Sequence, residues 1–326
     1  MNAQDRTLEQ YQQFMRINAA AHLFRSAREL GLLRELREGQ RTHEQLCENL
    51  SLRPEATQLV LDALVATSII EKYGDDYALS RVAHLLCQYD DDLGDATWNR
   101  LVGHVRGTGE PEADDQAFMN ALAATQWVHT PAAMQAAEML DLGGDEEVSG
   151  PTILDLGCGS AVWSSAMAHR DPKSKITGVD RAAALKAAQS TADSIGLGDR
   201  FQTIEAEPAE VDLGESKFDI VLVAQRLGCV GPEEGRKLLT KAVDALTFGG
   251  KLVVIDLFRG PAKPDMSECV EALKLELETG QGGMWTLEAI QAELTELGLE
   301  RVEVTFMPDS RVNMGMAIGK RPSDQP

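Results

Sequence analysis

The second half of the chain alternates between short apolar runs and helix-like segments, and this alternation constrains the fold most strongly. Five apolar runs have the length of β-strands, at 152–156, 175–179, 200–204, 218–223 and 251–258. Helix-like segments lie between them, among them 181–196 and 232–246. Strands that alternate with helices predict a mostly parallel sheet with helices on both of its faces.

Two late segments depart from this alternation. Residues 301–306 and 313–319 are both strand-like, and only "MPDSRV" separates them. A connection this short predicts a hairpin, so the sheet is expected to finish with an antiparallel pair. Together the segments predict an α/β fold whose Rossmann-like sheet has seven strands, mostly parallel, with a C-terminal antiparallel hairpin.

The first 88 residues predict a separate, mainly helical domain of the winged-helix type. Thr42 and Gln45 have capping-box spacing, and Pro54 stands where the next helix would begin. Two short strand-like runs then flank the Gly-Asp pair within 69–80. We therefore divide the chain into this domain at 1–88, a helical linker at 89–150, and the alternating domain at 151–326.

Winged helices often bind DNA, so a transcription regulator is one hypothesis for this chain. The second helix, 54–67, lacks Lys and Arg but carries Glu55 and Asp62, whereas DNA-reading helices supply basic and amide side chains. The linker holds 13 Asp and Glu against two Lys and Arg, and the whole chain has a net charge of −21. This charge opposes binding to nucleic acid or to an anionic membrane. Dimerisation is the favoured role, because residues 8–29 have an apolar face that a partner chain or this chain itself could bury.

Composition and the N-terminal residues indicate the cellular compartment that is expected for the protein. The five cysteines are scattered without a C-x-x-C pair, so neither a disulfide framework nor a metal site is expected. No apolar run approaches the ~18 residues of a membrane span. The N-terminus lacks the basic-then-apolar order of a secretion signal, so a cytoplasmic location is expected.

The segment "ILDLGCGSAVW" contains the candidate ligand site. A lone G-x-G is a weak signal, and Val162 stands where a dinucleotide fingerprint has its third glycine. Asp155, two residues before Gly157, would oppose a pyrophosphate but suits a ligand with an ammonium group. Asp180 at the end of the second strand can accept ribose hydroxyls, and Glu207 after the third strand can accept the adenine amino group.

Three acidic residues at three successive strand ends fit an adenosyl ligand with a cationic tail, which is S-adenosylmethionine. Each residue also has a structural interpretation. Asp155 or Asp180 could cap the helix that follows it, and Glu207 could simply be a surface residue.

"ILDLGCGSAVW", "GVD" and "FDIVLV" with the later "LLTKAVDALTFGGKLVVIDLF" resemble the class I S-adenosylmethionine-dependent methyltransferases. With the winged-helix half, residues 10–320 resemble the small-molecule O-methyltransferases of the caffeic acid and hydroxyindole type. The resemblance implies a homodimer that methylates a small, aromatic acceptor and releases S-adenosylhomocysteine. It assigns the cofactor to Asp155, Gly157, Cys158, Gly159, Asp180, Arg181, Glu207, Pro208 and Ala224.

Members of this family that methylate phenols use a histidine after the fourth strand as a general base, oriented by two acidic residues. Alignment on the "PEEGRKLL" helix places Gly228 at the histidine position and Val230 at that of the adjacent tryptophan. Asp256 matches the first acidic residue, but the second falls near Met284, where no carboxylate stands. The histidine mechanism is therefore not expected in this chain.

Several alternatives remain open. Proximity and orientation can drive methyl transfer without a base, provided that the acceptor is an ionised oxygen, a nitrogen or a carbon nucleophile. Asp256, His104 or His129 could instead serve as a catalytic group, with Cys229 a less favoured candidate. The chain could also bind S-adenosylmethionine for non-methylating chemistry, or as a winged-helix regulator that senses the cofactor.

The resemblance also places an acceptor pocket between the linker and a late loop. Aromatic and thioether walls there would suit a flat apolar acceptor. The side chains that it assigns to this pocket are Trp98, Met119, Trp127, Met284 and Trp285.

Overall fold

The computed structural model describes residues 3–108, 115–143, 150–260, 263–264, 266–279, 281–310, 312 and 314–323. The chain divides into two compact units, 1–98 and 99–326. This boundary lies later than the predicted end of the first domain at 88, and it splits the predicted linker 89–150 between the two units. The roles assigned to these segments remain predictions.

The first unit is helical with a small antiparallel sheet. Its elements are α1 (Ala3–Glu29), α2 (Leu32–Arg37), β1 (Arg41–Thr42), α3 (His43–Asn49), α4 (Pro54–Ala66), β2 (Ile70–Tyr73), β3 (Asp76–Leu79), α5 (Arg81–Tyr89) and α6 (Asp95–Trp98). The strands pair in the order β1-β3-β2. The capping box is present, because Thr42 Oγ1 accepts from Gln45 N and Gln45 Oε1 accepts from Thr42 N. Helices and hairpin follow one another in the predicted order.

The second unit contains the large sheet. Its elements are α7 (Leu101–Arg106), α8 (Asp115–Thr125), α9 (Thr130–Met139), β4 (Thr152–Leu156), α10 (Val162–Arg170), β5 (Lys175–Asp180), α11 (Ala182–Ser194), β6 (Phe201–Glu205), β7 (Phe218–Ala224), α12 (Pro232–Ala245), β8 (Leu246–Arg259), α13 (Met266–Thr279), β9 (Trp285–Thr286), α14 (Leu287–Glu296), β10 (Glu300–Phe306) and β11 (Met314–Lys320).

The order of the strands is β10-β11-β8-β7-β4-β5-β6, and the short β9 pairs with β8. Strands β4 to β8 run parallel, whereas β11 is antiparallel to β8 and to β10. The predicted α/β fold with its terminal hairpin is confirmed. Strand β8 begins at Leu246, earlier than predicted, because Leu246 pairs with Phe218 across a register shift.

The central strands β4, β7 and β8 are buried on both faces, which explains why they are almost continuously apolar. Ile153 and its neighbour Leu154 belong to two different core clusters, as the alternation of side chains along a strand requires. With helices covering both faces, the carboxyl edge of the parallel strands is left for polar groups. Among the described residues, no helix combines the length and apolarity needed to cross a membrane.

Candidate active site

The glycine loop that follows β4 is fixed to the next strand by backbone hydrogen bonds. Gly157 N and Cys158 N donate to Val179 O at 2.9 and 3.2 Å. Gly157 has φ +84° and Gly159 has φ +57°, in the left-handed region that glycine adopts without strain. The loop therefore has the glycines that its conformation requires. Cys158 points inward and is 1% exposed, and burial raises the pKa of its thiol well above the usual range.

Asp155 lies beneath this loop with one carboxylate oxygen unsatisfied. Its Oδ2 accepts a hydrogen bond from Ser164 Oγ at 2.5 Å, whereas Oδ1 has no partner among the described residues. The side chain is 1% exposed, and burial raises the pKa of Asp155 to about 7. A buried carboxylate with a free oxygen is costly when ionised, so a cationic ligand group beside it would be stabilising.

The raised pKa of Asp155 gives a testable pH dependence. Because folding raises this pKa from 3.8 to about 7, the stability that the protonated carboxyl contributes is complete below pH 3.8 and is lost as the pH rises through about 7. Asp155→Asn removes this ionisation. Urea unfolding at pH 5.5 and pH 8 should show the native protein losing stability relative to the variant. A constant difference between the two proteins would contradict the assignment.

Asp180 joins the glycine loop to the helix after β5. Its Oδ2 accepts from Gly159 N at 2.9 Å and its Oδ1 accepts from Arg181 N at 2.8 Å. The residue is 4% exposed. Arg181 is the N-cap of α11 and no described side chain caps this helix, so Asp180 fixes the turn that precedes α11 rather than its first turn. Each oxygen keeps a second lone pair, so the same carboxylate remains able to accept ligand hydroxyls.

Glu207 forms ion pairs with two arginines. Arg181 approaches Glu207 Oε2 through Nε at 2.8 Å and Nη2 at 2.6 Å, and Arg226 Nη2 donates to Glu207 Oε1 at 2.9 Å. The Arg226 side chain is only 6% exposed. A Cβ at Gly157 would lie 3.1 Å from Arg226 Cδ, so the arginine stem covers the glycine loop. Sequence reasoning missed Arg226, although a lone arginine in the apolar turn after β7 was a visible signal.

Two glutamines complete the polar network around the loop. Gln126 is 2% exposed, and its Oε1 accepts from both Ser160 N and Ser160 Oγ at 3.0 Å. Gln225 Oε1 accepts from Trp163 Nε1 at 2.9 Å. Gln225 has φ +54°, an uncommon conformation for a residue with a side chain and one that clusters at functional sites. No sequence motif identified either glutamine.

A polar cavity of about 210 Å³ opens beside the arginines. Its walls come from α8, from the start of α11, from the turn between β7 and α12, and from the end of α13. The lining residues are Phe118, Met119, Arg181, Arg226, Cys229, Val230, Gly231, Glu234, Thr279 and Gln281. Cys229 and Val230 directly follow the position at which the resembled family has its histidine.

Of the five predicted acceptor-pocket residues, Met119 lines this cavity. Trp127 is 43% exposed, in the 3-10 turn before α9. Trp285 packs into the core, where a Cβ at Gly235 would lie 3.5 Å from its ring. Met284 is half-buried beside it, and Trp98 belongs to the first unit. Met119 is thus the member of the predicted set that lies at this cavity, and the role of the other four stays a prediction.

The candidate catalytic residues lie apart from one another. His104 Nε2 is 3.0 Å from Glu276 Oε1 on α13. The His129 ring stacks on Trp163 with 6.0 Å between centroids, and burial lowers its pKa. Asp256 is buried at the carboxyl end of β8, and burial raises its pKa to about 6. None of the three lines the cavity described above.

Side chains and backbone pack closely around Gly228. Gly228 N donates to Asp256 Oδ2 at 3.0 Å, and Gly228 O accepts from Gly283 N at 2.9 Å. A Cβ at Gly228 would lie 3.2 Å from Asp256 Oδ1 and 3.3 Å from Leu275 Cδ1. A side chain at position 228 would therefore require Asp256 or Leu275 to move.

Comparison with known proteins agrees with this geometry. Residues 153–250 match the family described as a methyltransferase domain. The chain is 26% identical to the N,N-dimethyltransferase OxyT of Streptomyces rimosus, over 93% of both chains. It is 30% identical to the L-tyrosine C(3)-methyltransferase of Streptomyces lavendulae over 36% of this chain, and that match spans only 31% of the relative.

The fold also matches solved structures. The crystal structure of human N-acetylserotonin methyltransferase in complex with SAM superimposes with a TM-score of 0.69, at 16% identity and over 99% of both chains. The methyltransferase domain predicted from the sequence is confirmed, because residues 153–250 match that family. The whole chain shares the fold of human N-acetylserotonin methyltransferase.

Proposed function

We propose that this protein transfers the methyl group of S-adenosylmethionine to a small molecule. The observation that carries the proposal is the buried carboxylate of Asp155, whose Oδ1 has no partner in the described part of the chain. An ammonium group on a ligand in the glycine loop would satisfy this oxygen and favour its ionised form. A phosphate at the same place would meet a like charge, which argues against a dinucleotide.

The residues present fit S-adenosylmethionine along its length. Asp155 with the loop of Gly157 and Gly159 would hold the amino acid end, Asp180 the ribose hydroxyls and Glu207 the adenine amino group. The cofactor, when bound, supplies a methyl group activated by the sulfonium charge. Arg181 and Arg226 orient the Glu207 carboxylate as a hydrogen-bond acceptor.

The protein contributes mainly position and electrostatics rather than a proton acceptor. Gly228 cannot accept a proton, and the described cavity is lined by neither histidine nor Asp256. Holding an acceptor in line with a reactive centre can account for ~7–11 kcal/mol of a barrier. An acceptor whose nucleophilic atom is already unprotonated therefore suits this site.

Binding and turnover test the proposal separately. Calorimetry should show one S-adenosylmethionine or S-adenosylhomocysteine per chain and no binding of NADH, whose pyrophosphate would meet Asp155. Methyl-tritiated S-adenosylmethionine should then label acceptors from a panel of phenols, carboxylic acids and aromatic amines. Binding of NADH in preference to S-adenosylhomocysteine would contradict the proposal.

O-methylation is the reaction that the fold favours, and N-methylation is the second candidate. OxyT, which matches over 93% of both chains, is named as an N,N-dimethyltransferase. An amine with a free lone pair needs no base before it attacks, which is consistent with glycine at position 228. Tandem mass spectrometry of the methylated product locates the methyl group on oxygen or on nitrogen, and mild alkaline hydrolysis then separates a methyl ester, which is cleaved, from a methyl ether, which is not.

We also propose that the chain forms a homodimer through α1. This helix exposes a row of large apolar side chains, with Tyr11 61%, Phe14 69% and Ile17 58% accessible in the single chain. Exposed apolar faces of this kind mark interaction sites, and a second copy would cover the row with an identical one. The acidic surface of the chain makes nucleic acid an unsuitable alternative partner.

Charged substitutions on α1 test the dimer. The double substitution of Phe14→Asp with Ile17→Asp should convert a dimer into a monomer in light scattering after size exclusion. Ile195→Asp is the control, since Ile195 is 42% exposed in the other unit and should leave the dimer intact. A native protein that is already monomeric at micromolar concentration would refute this assembly.

A further inference from the structure

The cavity beside Glu207 contains a positive charge that the proposed cofactor does not account for. Arg226 lines the cavity and its side chain is 6% exposed. Among the described residues, its guanidinium makes one hydrogen bond, from Nη2 to Glu207 Oε1. Guanidinium has five N–H donors in a planar fork, so most of its donor capacity remains for a ligand.

The other charges around the cavity do not cancel this one. Arg181 lines the same cavity and shares Glu207 with Arg226, but its side chain is 46% exposed, so water and salt screen its charge. Glu234 on α12 also lines the cavity, but it is exposed. Water and salt screen an exposed charge, whereas a buried guanidinium acts through a lower effective dielectric. Arg226 is therefore the buried cation of the cavity wall, and its remaining N–H donors are the ones least screened by water.

The cavity is also the place where an acceptor would lie. Cys229 and Val230, in its wall, belong to the turn after β7 at the carboxyl edge of the parallel sheet, where ligands of such sheets bind. The stem of Arg226 covers Gly157 in the cofactor loop, within 3.1 Å of a Cβ placed there. A group bound to Arg226 would thus be next to the proposed cofactor site.

We propose that the methyl acceptor is a small organic acid, whose carboxylate or acidic phenol oxygen binds to Arg226. The proposal rests on the proposed function and names the substrate class for it. Arg226 is a specificity-determining residue, because a neutral analogue would leave a buried guanidinium only partly paired. A guanidinium also lowers the pKa of an acidic oxygen beside it, so the acceptor enters ionised without a histidine base.

The size of the cavity limits the acceptor further. At about 210 Å³ it is smaller than the ~300–1,000 Å³ typical of small-molecule pockets. This volume suits an acid with one ring or a short chain rather than a polycyclic acceptor. Phe118 and Met119 on α8 supply an apolar side for such a ring.

Matched pairs of acids and amides test the charge requirement on the native protein. With S-adenosylhomocysteine bound, benzoate, salicylate and cinnamate are each titrated against benzamide, salicylamide and cinnamamide by calorimetry. The acids should bind at least about tenfold more tightly than their amides, as expected for one charge-assisted pair. Equal affinities, or no binding of any of the three acids, would overturn the proposal.

Substitution assigns the effect to one side chain. Arg226→Met should abolish the preference for acids, and Arg226→Lys should retain part of it. Glu207 keeps Arg181 as a partner in both variants. Arg236→Met is the control, because Arg236 pairs with Glu293 and Glu296 outside this cavity and its loss should leave the preference unchanged. An undiminished preference in Arg226→Met would exclude Arg226 as the anion site.

The two proposals fail in different ways. Tight binding of S-adenosylhomocysteine without any preference for acids refutes the acid acceptor and leaves the methyltransferase proposal intact. Failure to bind S-adenosylhomocysteine refutes the cofactor assignment itself. Calorimetry on the native protein distinguishes these results even where a variant does not fold.

Discussion

Asp180→Ala is expected to weaken S-adenosylmethionine binding by about 100-fold. The substitution removes the proposed acceptor for the ribose hydroxyls, and hydrogen bonds to a charged group contribute ~1.5–3 kcal/mol each. It also leaves Gly159 N and Arg181 N without the carboxylate that they now share. The substitution therefore removes hydrogen bonds from the glycine loop and from the ligand at the same time.

Calorimetric titration of S-adenosylhomocysteine measures this loss without turnover. Asp193→Ala is the matched control, because Asp193 is an exposed aspartate on α11 that accepts a hydrogen bond from Gln189. Asp193→Ala should bind the ligand as the native protein does. Native affinity in a folded Asp180→Ala variant would show that the ribose lies elsewhere.

Gly282→Ala is expected to destabilise the protein by about 1–3 kcal/mol, the usual cost of overpacking a core. A Cβ at position 282 would lie 2.2 Å from Thr279 Oγ1 and 2.3 Å from Gly228 O. Both neighbours are held in place, Thr279 Oγ1 by Leu275 O and Gly228 O by Gly283 N. The backbone of this turn must therefore shift to admit a methyl group.

Gly283→Ala provides the control one residue away. No described atom lies within 4 Å of a Cβ placed at Gly283, and its N–H bond to Gly228 O is kept. Urea unfolding followed by tryptophan fluorescence should separate the two variants clearly. Equal urea midpoints for Gly282→Ala and the native protein would mean that the packing around Gly228 is looser than in this structure.

The fold could be predicted in detail because its signals are local. The run 152–156 and the strand β4 coincide, and the Thr42–Gln45 capping box forms as expected. Parallel strands buried on both faces give continuous apolar runs, and helices between them need their own caps. Both features can be recognised within a few residues of sequence. Asp155 and Asp180 could then be proposed as cofactor residues, because parallel strands place their carboxyl ends at one edge of the sheet.

The residues around the cavity proposed for the acceptor could not be predicted in the same way. Gln126 reaches Ser160 over 34 positions, and Arg226 reaches Glu207 over 19, so neither contact leaves a pattern in a short segment. Trp285, which is predicted to line the acceptor pocket, packs against the core, and the sequence could not show this because a large side chain fits a core as well as a pocket. Gly228 shows the same limit. Its sequence position indicates a lost histidine, but only the structure shows how closely Asp256 and Leu275 pack against it.

A crystal structure with S-adenosylhomocysteine bound tests the central claim most directly. The account predicts density across the glycine loop, with the ligand ammonium against Asp155, the ribose hydroxyls on Asp180 and the adenine amino group at Glu207. It also predicts that the cavity beside Arg226 opens toward the ligand sulfur. Density at another edge of the sheet, or a ligand whose amino acid end points away from Asp155, would contradict the account.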